Sequence, residues 1–152
     1  MAAEIGRCEL AGSGADCTGI PTEERTFVPL SDGDDVRIVV GPQAASMFVL
    51  GLRTKDIYPG DVDNPADPDN PDVSITLRSG QQMMAIYHGR PAFVPSVEDP
   101  GKFEQAAMFV VVDGNGSELV GLELTADVHL LDRDEQERCG QVKFIAALAG
   151  VQ

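Results

Sequence analysis

Apolar positions recur every second residue over much of this chain. Val36, Ile38 and Val40 alternate with Asp35 and Arg37, and Val73, Ile75 and Leu77 alternate with Ser74, Thr76 and Arg78. Successive side chains of an extended strand point to opposite faces, so each run predicts a half-buried strand. The longest alternation sets Leu122, Leu124, Ala126, Val128 and Leu130 against Glu123, Thr125, Asp127 and His129, as a sheet with one wet face requires. AAMFVVV at 106–112 is apolar on both faces. The DGNG that follows at 113–116 tolerates positive φ, which predicts a tight hairpin pairing this run antiparallel with 122–130. SMFVLGLR at 46–53, MMAIYH at 83–88 and VKFIAALA at 142–149 are further apolar runs, and within the last FIAALAG has helix-forming composition.

Turn-forming clusters (SDGDD, GPQ, YPGD, RSGQ, HGRP, EDPG, DGNG) separate these runs and leave little room for helices of ordinary length. Many short strands at such spacing predict an all-β fold, an antiparallel immunoglobulin-like β-sandwich of roughly seven to nine strands. The chain has no tryptophan, so the Cys-Trp-Cys core of antibody domains is absent. Residues 1–25 carry Gly, Ala, Ser and charge without periodicity, which predicts an extended N-terminal arm, flexible or pinned by cysteine. Residues 26–152 form the expected single sandwich domain.

Composition narrows the function classes. With 43% hydrophobic residues in 152, the chain can bury one sizeable core unaided. A net charge of −14 repels nucleic-acid phosphates and anionic membranes and favours cations or basic surfaces. FIAALAGV at 144–151 is far too short to cross a bilayer core of roughly 30 Å, so no transmembrane segment is expected. The N-terminus has no continuous apolar h-region and does not read as a signal peptide; either the protein stays in the cell or Met1 stands where a leader was removed. Cys8 and Cys17 bracket a Gly- and Ser-containing segment that a disulfide would close in an oxidising compartment. Pairing of Cys17 with Cys139, or three reduced thiols, is equally open at this point.

Residues 27–57, FVPLSDGDDVRIVVGPQAASMFVLGLRTKDI, resemble a segment of uncharacterised secreted or lipoprotein-like domains of myxobacteria and their relatives. The shared pattern is a PL-x-DGD turn, a short strand, Gly-Pro-Gln, small residues and a long strand ending in Leu-Arg. Ala44 and Ala45 stand where that pattern has two glycines. The resemblance implies an envelope or extracellular location and a sandwich fold, and nothing catalytic.

Candidate chemistry is sparse. G-x-S-x-G, P-loop, H-E-x-x-H and C-x-x-C motifs are all absent. Cys139 with His88 or His129 has the composition of a cysteine nucleophile and its base, but sequence cannot bring them together. Glu123 and Asp127 are a carboxylate pair of the kind glycoside hydrolysis uses, in a chain whose 25 carboxylates supply such pairs by chance. Met47, Met83, Met84 and Met108 with His88 carry copper-type donors but sit in apolar runs, where methionine fills core. Asp132, Asp134 and Glu135 form a charged turn before the last strand.

The one local chemical lead is DVDNPADPDNPD, residues 61–72, with five aspartates. Pro65, Pro68 and Pro71 recur every third residue, the polyproline II repeat, which predicts a stiff acidic ribbon. Asp61, Asp63, Asp67 and Asp69 are then candidate ligands for weakly bound calcium, at an affinity on the order of 10⁻⁴ to 10⁻³ M. Against this stands a solvated loop without an ion. The expected function is a non-catalytic binding module, engaging a protein or glycan ligand or copies of itself. The alternatives are a self-assembling structural subunit using its arm or open strand edges, and a hydrolase with an unrecognised carboxylate site.

Overall fold

The computed structural model describes residues 2–10, 25–40, 45–112 and 116–147, with the side chains of Leu10 and Val40 left aside. Eleven strands occur among them: β1 (Glu4–Leu10), β2 (Arg25–Pro29), β3 (Asp34–Arg37), β4 (Val39–Val40), β5 (Ser46–Lys55), β6 (Asp72–Ser79), β7 (Gln82–Gly89), β8 (Val94–Pro95), β9 (Lys102–Val111), β10 (Glu123–Leu131) and β11 (Glu137–Ala147). One sheet runs β2-β1-β5-β9-β8, with β4 also on β5, and the other runs β3-β11-β10-β6-β7. In chain order β1, β5, β6, β7, β8, β9, β10 and β11 occupy the places of strands A, B, C, C′, D, E, F and G of an immunoglobulin sandwich. The expected antiparallel immunoglobulin-like architecture is therefore met, with β2, β3 and β4 inserted between A and B.

The core fills the space between the sheets. Phe48, Leu50 and Leu52 from β5, Val73, Ile75 and Leu77 from β6, and Leu124, Ala126, Val128 and Leu130 from β10 all join it, in the alternation the sequence displays. Phe48 meets Phe144 of β11 edge to face, with centroids 5.2 Å apart. A smaller cluster (Cys8, Val39, Met47, Val49, Ala107) lies apart from this core, at β5 positions that alternate with the core-facing ones.

Several expectations need correction. Residues 4–10, expected in the arm, are β1, paired with β2 on one side and β5 on the other. Ala3 and Ile5 are core residues. The signal was missed because Arg7 stands at the phase of Ala3 and Ile5 and ends the apolar alternation; at Gly6 the Phe27 ring lies close, and a Cβ there would stand 2.6 Å from that ring. Runs 106–112 and 122–130 do not pair: β9 joins β5 and β8, β10 joins β6 and β11, and a short 3-10 turn at Gly116–Leu119 lies between them. Residues 113–115 of the expected hairpin turn lie outside the described residues. FIAALAG is strand as far as Ala147, with Phe144 and Ala146 buried, so sheet packing overrides helix propensity. The single strand expected over 36–40 divides at Ile38: β3 pairs parallel with β11 and β4 antiparallel with β5.

Candidate functional site

The acidic loop does not form a polyproline II ribbon. Asn64 N donates to Asp61 O, Asp67 N to Asn64 O and Asn70 N to Asp67 O, giving three successive turns, with Pro65 and Pro68 at the second position of two of them, where proline's fixed φ suits. The prolines' spacing of three is thus turn periodicity. Asn70, 1% exposed, holds the loop from inside: its Oδ1 accepts from Asp61 N and its Nδ2 donates to Asn64 O. Asp61 and Asp67 each accept the backbone N–H two residues on, the Asx-turn contact. Arg90 donates to Pro68 O and pairs with Asp72, which also bonds His88 at 2.6 Å. Asp69 faces Arg133 at 3.7 Å. The structure does not gather the oxygens of Asp61, Asp63, Asp67 and Asp69 into a ligand set; among the described residues the one metal-competent grouping is elsewhere.

The other candidates separate as well. Glu123 and Asp127 lie along β10, and Asp127 is engaged by Arg78 at 2.7 Å and by Gln141 at 2.6 Å. Burial works against the Asp127 charge, but those hydrogen bonds hold its carboxyl below the ordinary value. Met108 is core, Met47 joins the smaller cluster and Met83 is exposed, so the methionines do not converge on His88. Asp132 of the charged turn is buried and structural: it accepts Tyr58 N, Asp134 N and Gln136 N. Cys8 is buried, its expected partner Cys17 lies outside the described residues, and Cys139 is an exposed free thiol.

A recess lies at one edge of the sandwich. Strand β8 pairs with β9 only at Val94–Glu104 and Pro95–Phe103, so from Gln105 to Val111 β9 has a strand partner only on its β5 side among the described residues. Beside this edge opens a groove of about 380 Å³, with Tyr87, Val94 and Pro65 contributing apolar wall and Arg90, Gln105 and Glu104 polar groups. Gln105 is spent internally, donating to Ala92 O and accepting from Ala107 N. Glu104 is not: its Oε2 is buried without a hydrogen-bond partner. Burial pushes the Glu104 carboxyl above the ordinary value, against the lowering effects of the Ser96 hydroxyl and the Arg53 charge. Burial likewise raises the Tyr87 phenol. Just beyond the groove on β9, Phe109 and Val111 are 39% and 49% exposed. A second recess lies beside Arg7, which pairs with Glu9 and donates to Asp35 O.

Sequence reading passed over this edge because it depends on which strand stops short. The weak signal was there: Glu104 and Gln105 directly precede the apolar AAMFVVV, and HGRP at 88–91 marks a break.

No family model matches the chain, and no curated protein matches it. A solved structure, the first Ig-like domain from human CD48 antigen, is similar over 82% of this chain and 90% of that one, at 9% identity and a TM-score of 0.27. No helix among the described residues is long and apolar enough to cross a membrane.

Proposed function

We propose that the protein is a non-catalytic binding module of an envelope or extracellular setting. Its ligand is an extended segment of another protein carrying a basic side chain. The segment lies along the edge of β9 that has no strand partner among the described residues, where main-chain groups supply affinity as in other strand-addition complexes. The observation that carries this reading is the buried, unpartnered Oε2 of Glu104 beside that edge. A buried carboxylate oxygen without a donor destabilises the free protein, and a lysine or arginine from a ligand would satisfy it. Phe109 and Val111 offer apolar contact to alternate side chains of the same segment, and the net charge of −14 draws a basic partner. A protein ligand fits better than a glycan, because the groove offers one aromatic ring, Tyr87, and that ring is half-buried.

The envelope location rests on the resemblance of residues 27–57, and a Cys8–Cys17 bridge belongs to the same reading. Within the arm, residues 4–10 are already paired on both sides and are not available to add a strand to a neighbour.

Panning a random hexapeptide library against the protein tests the proposal. Selected peptides should be enriched in lysine or arginine at one position, and the enrichment should vanish on Glu104→Gln while surviving Glu123→Gln. Selection of no peptide, or the same preference in both variants, would overturn it.

A further inference from the structure

On the second sheet His129 of β10 stands directly across from Cys139 of β11, and Glu137 lies two residues before Cys139, across from Leu131. Their outward side chains converge. His129 Nε2 is 2.9 Å from Glu137 Oε1, Cys139 Sγ is 3.8 Å from that same oxygen, and the three ligand atoms all lie within 4.8 Å of one another. The arrangement is not that of a cysteine nucleophile: in such a site the imidazole stands between thiol and carboxylate, whereas here the carboxylate oxygen contacts both.

We propose that His129, Glu137 and Cys139 form a binding site for a zinc-type divalent ion. Imidazole, carboxylate and thiolate are the three donor types that zinc accepts, and they exclude calcium and magnesium, which want oxygen alone. Tetrahedral coordination at zinc places such donors roughly 3.3 to 3.6 Å apart, so small rotamer adjustments close the set around an ion. The fourth position stays open to solvent, because all three side chains are exposed.

The backbone beneath the trio is fixed on both strands. His129 pairs across to Ser74 of β6, and Cys139 O accepts Ala3 N at 2.8 Å. Between Glu137 and Cys139, the buried Arg138 donates to Lys55 O at 3.2 Å and Asp56 O at 3.0 Å. The ligands therefore project from a rigid hairpin, which limits the entropy lost on binding. A metal at this site shares no residue with the lining of the β9 groove.

Cobalt(II) is the direct probe, because a thiolate bound to it gives a ligand-to-metal charge-transfer band that carboxylate and imidazole do not. Titrating Co²⁺ into the full chain, isolated with Cys139 reduced and the metal removed, should give that band at one ion per chain. Zn²⁺ should bleach it stoichiometrically, and a hundredfold excess of Ca²⁺ should leave it unchanged. Cys139→Ser should abolish the band, and His129→Gln and Glu137→Gln should each weaken Co²⁺ binding by about tenfold or more. Asp67→Asn with Asp69→Asn should alter nothing, and unchanged circular dichroism establishes that each variant is folded. No charge-transfer band in the wild-type chain, or a band of equal strength in Cys139→Ser, would overturn the proposal.

Discussion

Glu4 ties the start of the chain into the first sheet. It receives both Nε and Nη2 of Arg53, at 3.2 and 3.1 Å, and Lys102 Nζ at 2.7 Å. Arg53 in turn is 7% exposed, with its guanidinium 4.7 Å from the centre of the Phe27 ring. The hydrogen bonds from Arg53 outweigh burial and, with those from Lys102, hold the Glu4 carboxyl below its ordinary value of 4.5. A depressed carboxyl contributes stability that is complete above the ordinary value and is lost as pH falls through the folded one. Glu4→Gln should therefore lower the melting temperature at pH 7, and the difference from wild type should close as pH falls through the lowered folded value; parallel curves would remove Glu4 from the acid limb. Glu104 has the opposite sign. Its raised value means that the folded chain gains stability as pH falls, and that the buried charge opposes folding at pH 7. Glu104→Gln should melt at or above the wild-type temperature at pH 7 while losing the ligand, the exchange of stability for function expected of a binding residue. A clear fall in melting temperature would instead make Glu104 structural. Asp132→Ala leaves three backbone N–H groups without their acceptor and should cost about 2–4 kcal/mol in chemical denaturation.

Strands and turns were legible wherever the physics is local. The alternations at 73–77 and 122–130 mark β6 and β10, with buried residues at the expected phase. The Asp32-Gly33-Asp34 turn is also where sequence places it: Gly33 sits at φ +94, and Asp34 Oδ2 accepts Ser31 N. What failed is what a strand pairs with. An apolar run followed by DGNG is an ordinary hairpin signature, yet β9 belongs to one sheet and β10 to the other, because β9 packs along the full length of β5. β1 went unseen since its apolar alternation stops at Arg7, and its Gly6 is required by the Phe27 ring and by no local turn. The acidic loop was found but misread, because proline at every third residue suits both an extended ribbon and consecutive turns. The buried Asn70 decides between them. Gly60 shares in this: its φ is +88, and an added Cβ would stand 2.5 Å from Asn70 Oδ1. Gly60→Ala should thus destabilise by more than about 1 kcal/mol, and native-state amide exchange should quicken at Asp61, Asn64 and Asp67 before elsewhere. Uniform exchange across the loop would deny Asn70 its organising place.

The candidate sites were less legible than the fold, for the same reason on a larger scale. His129 and Cys139 are ten residues apart in sequence and become neighbours only through the β10–β11 register. The β9 edge exists because β8 is two residues long, and no pattern within β9 announces that. For the molecule as a whole, the central claim is that one edge of an immunoglobulin-like sandwich receives an extended basic segment. The direct measurement is backbone-amide NMR of the whole chain titrated with a lysine-containing hexapeptide selected by panning. Shifts should cluster at Tyr87, Arg90–Val94 and Glu104–Val111, and new slow-exchanging amides should appear on β9 as its edge gains a partner. The response should weaken as pH is lowered and Glu104 takes up a proton. Shifts centred instead on the outer face of β10 and β11, or an undiminished response from Glu104→Gln, would contradict the account.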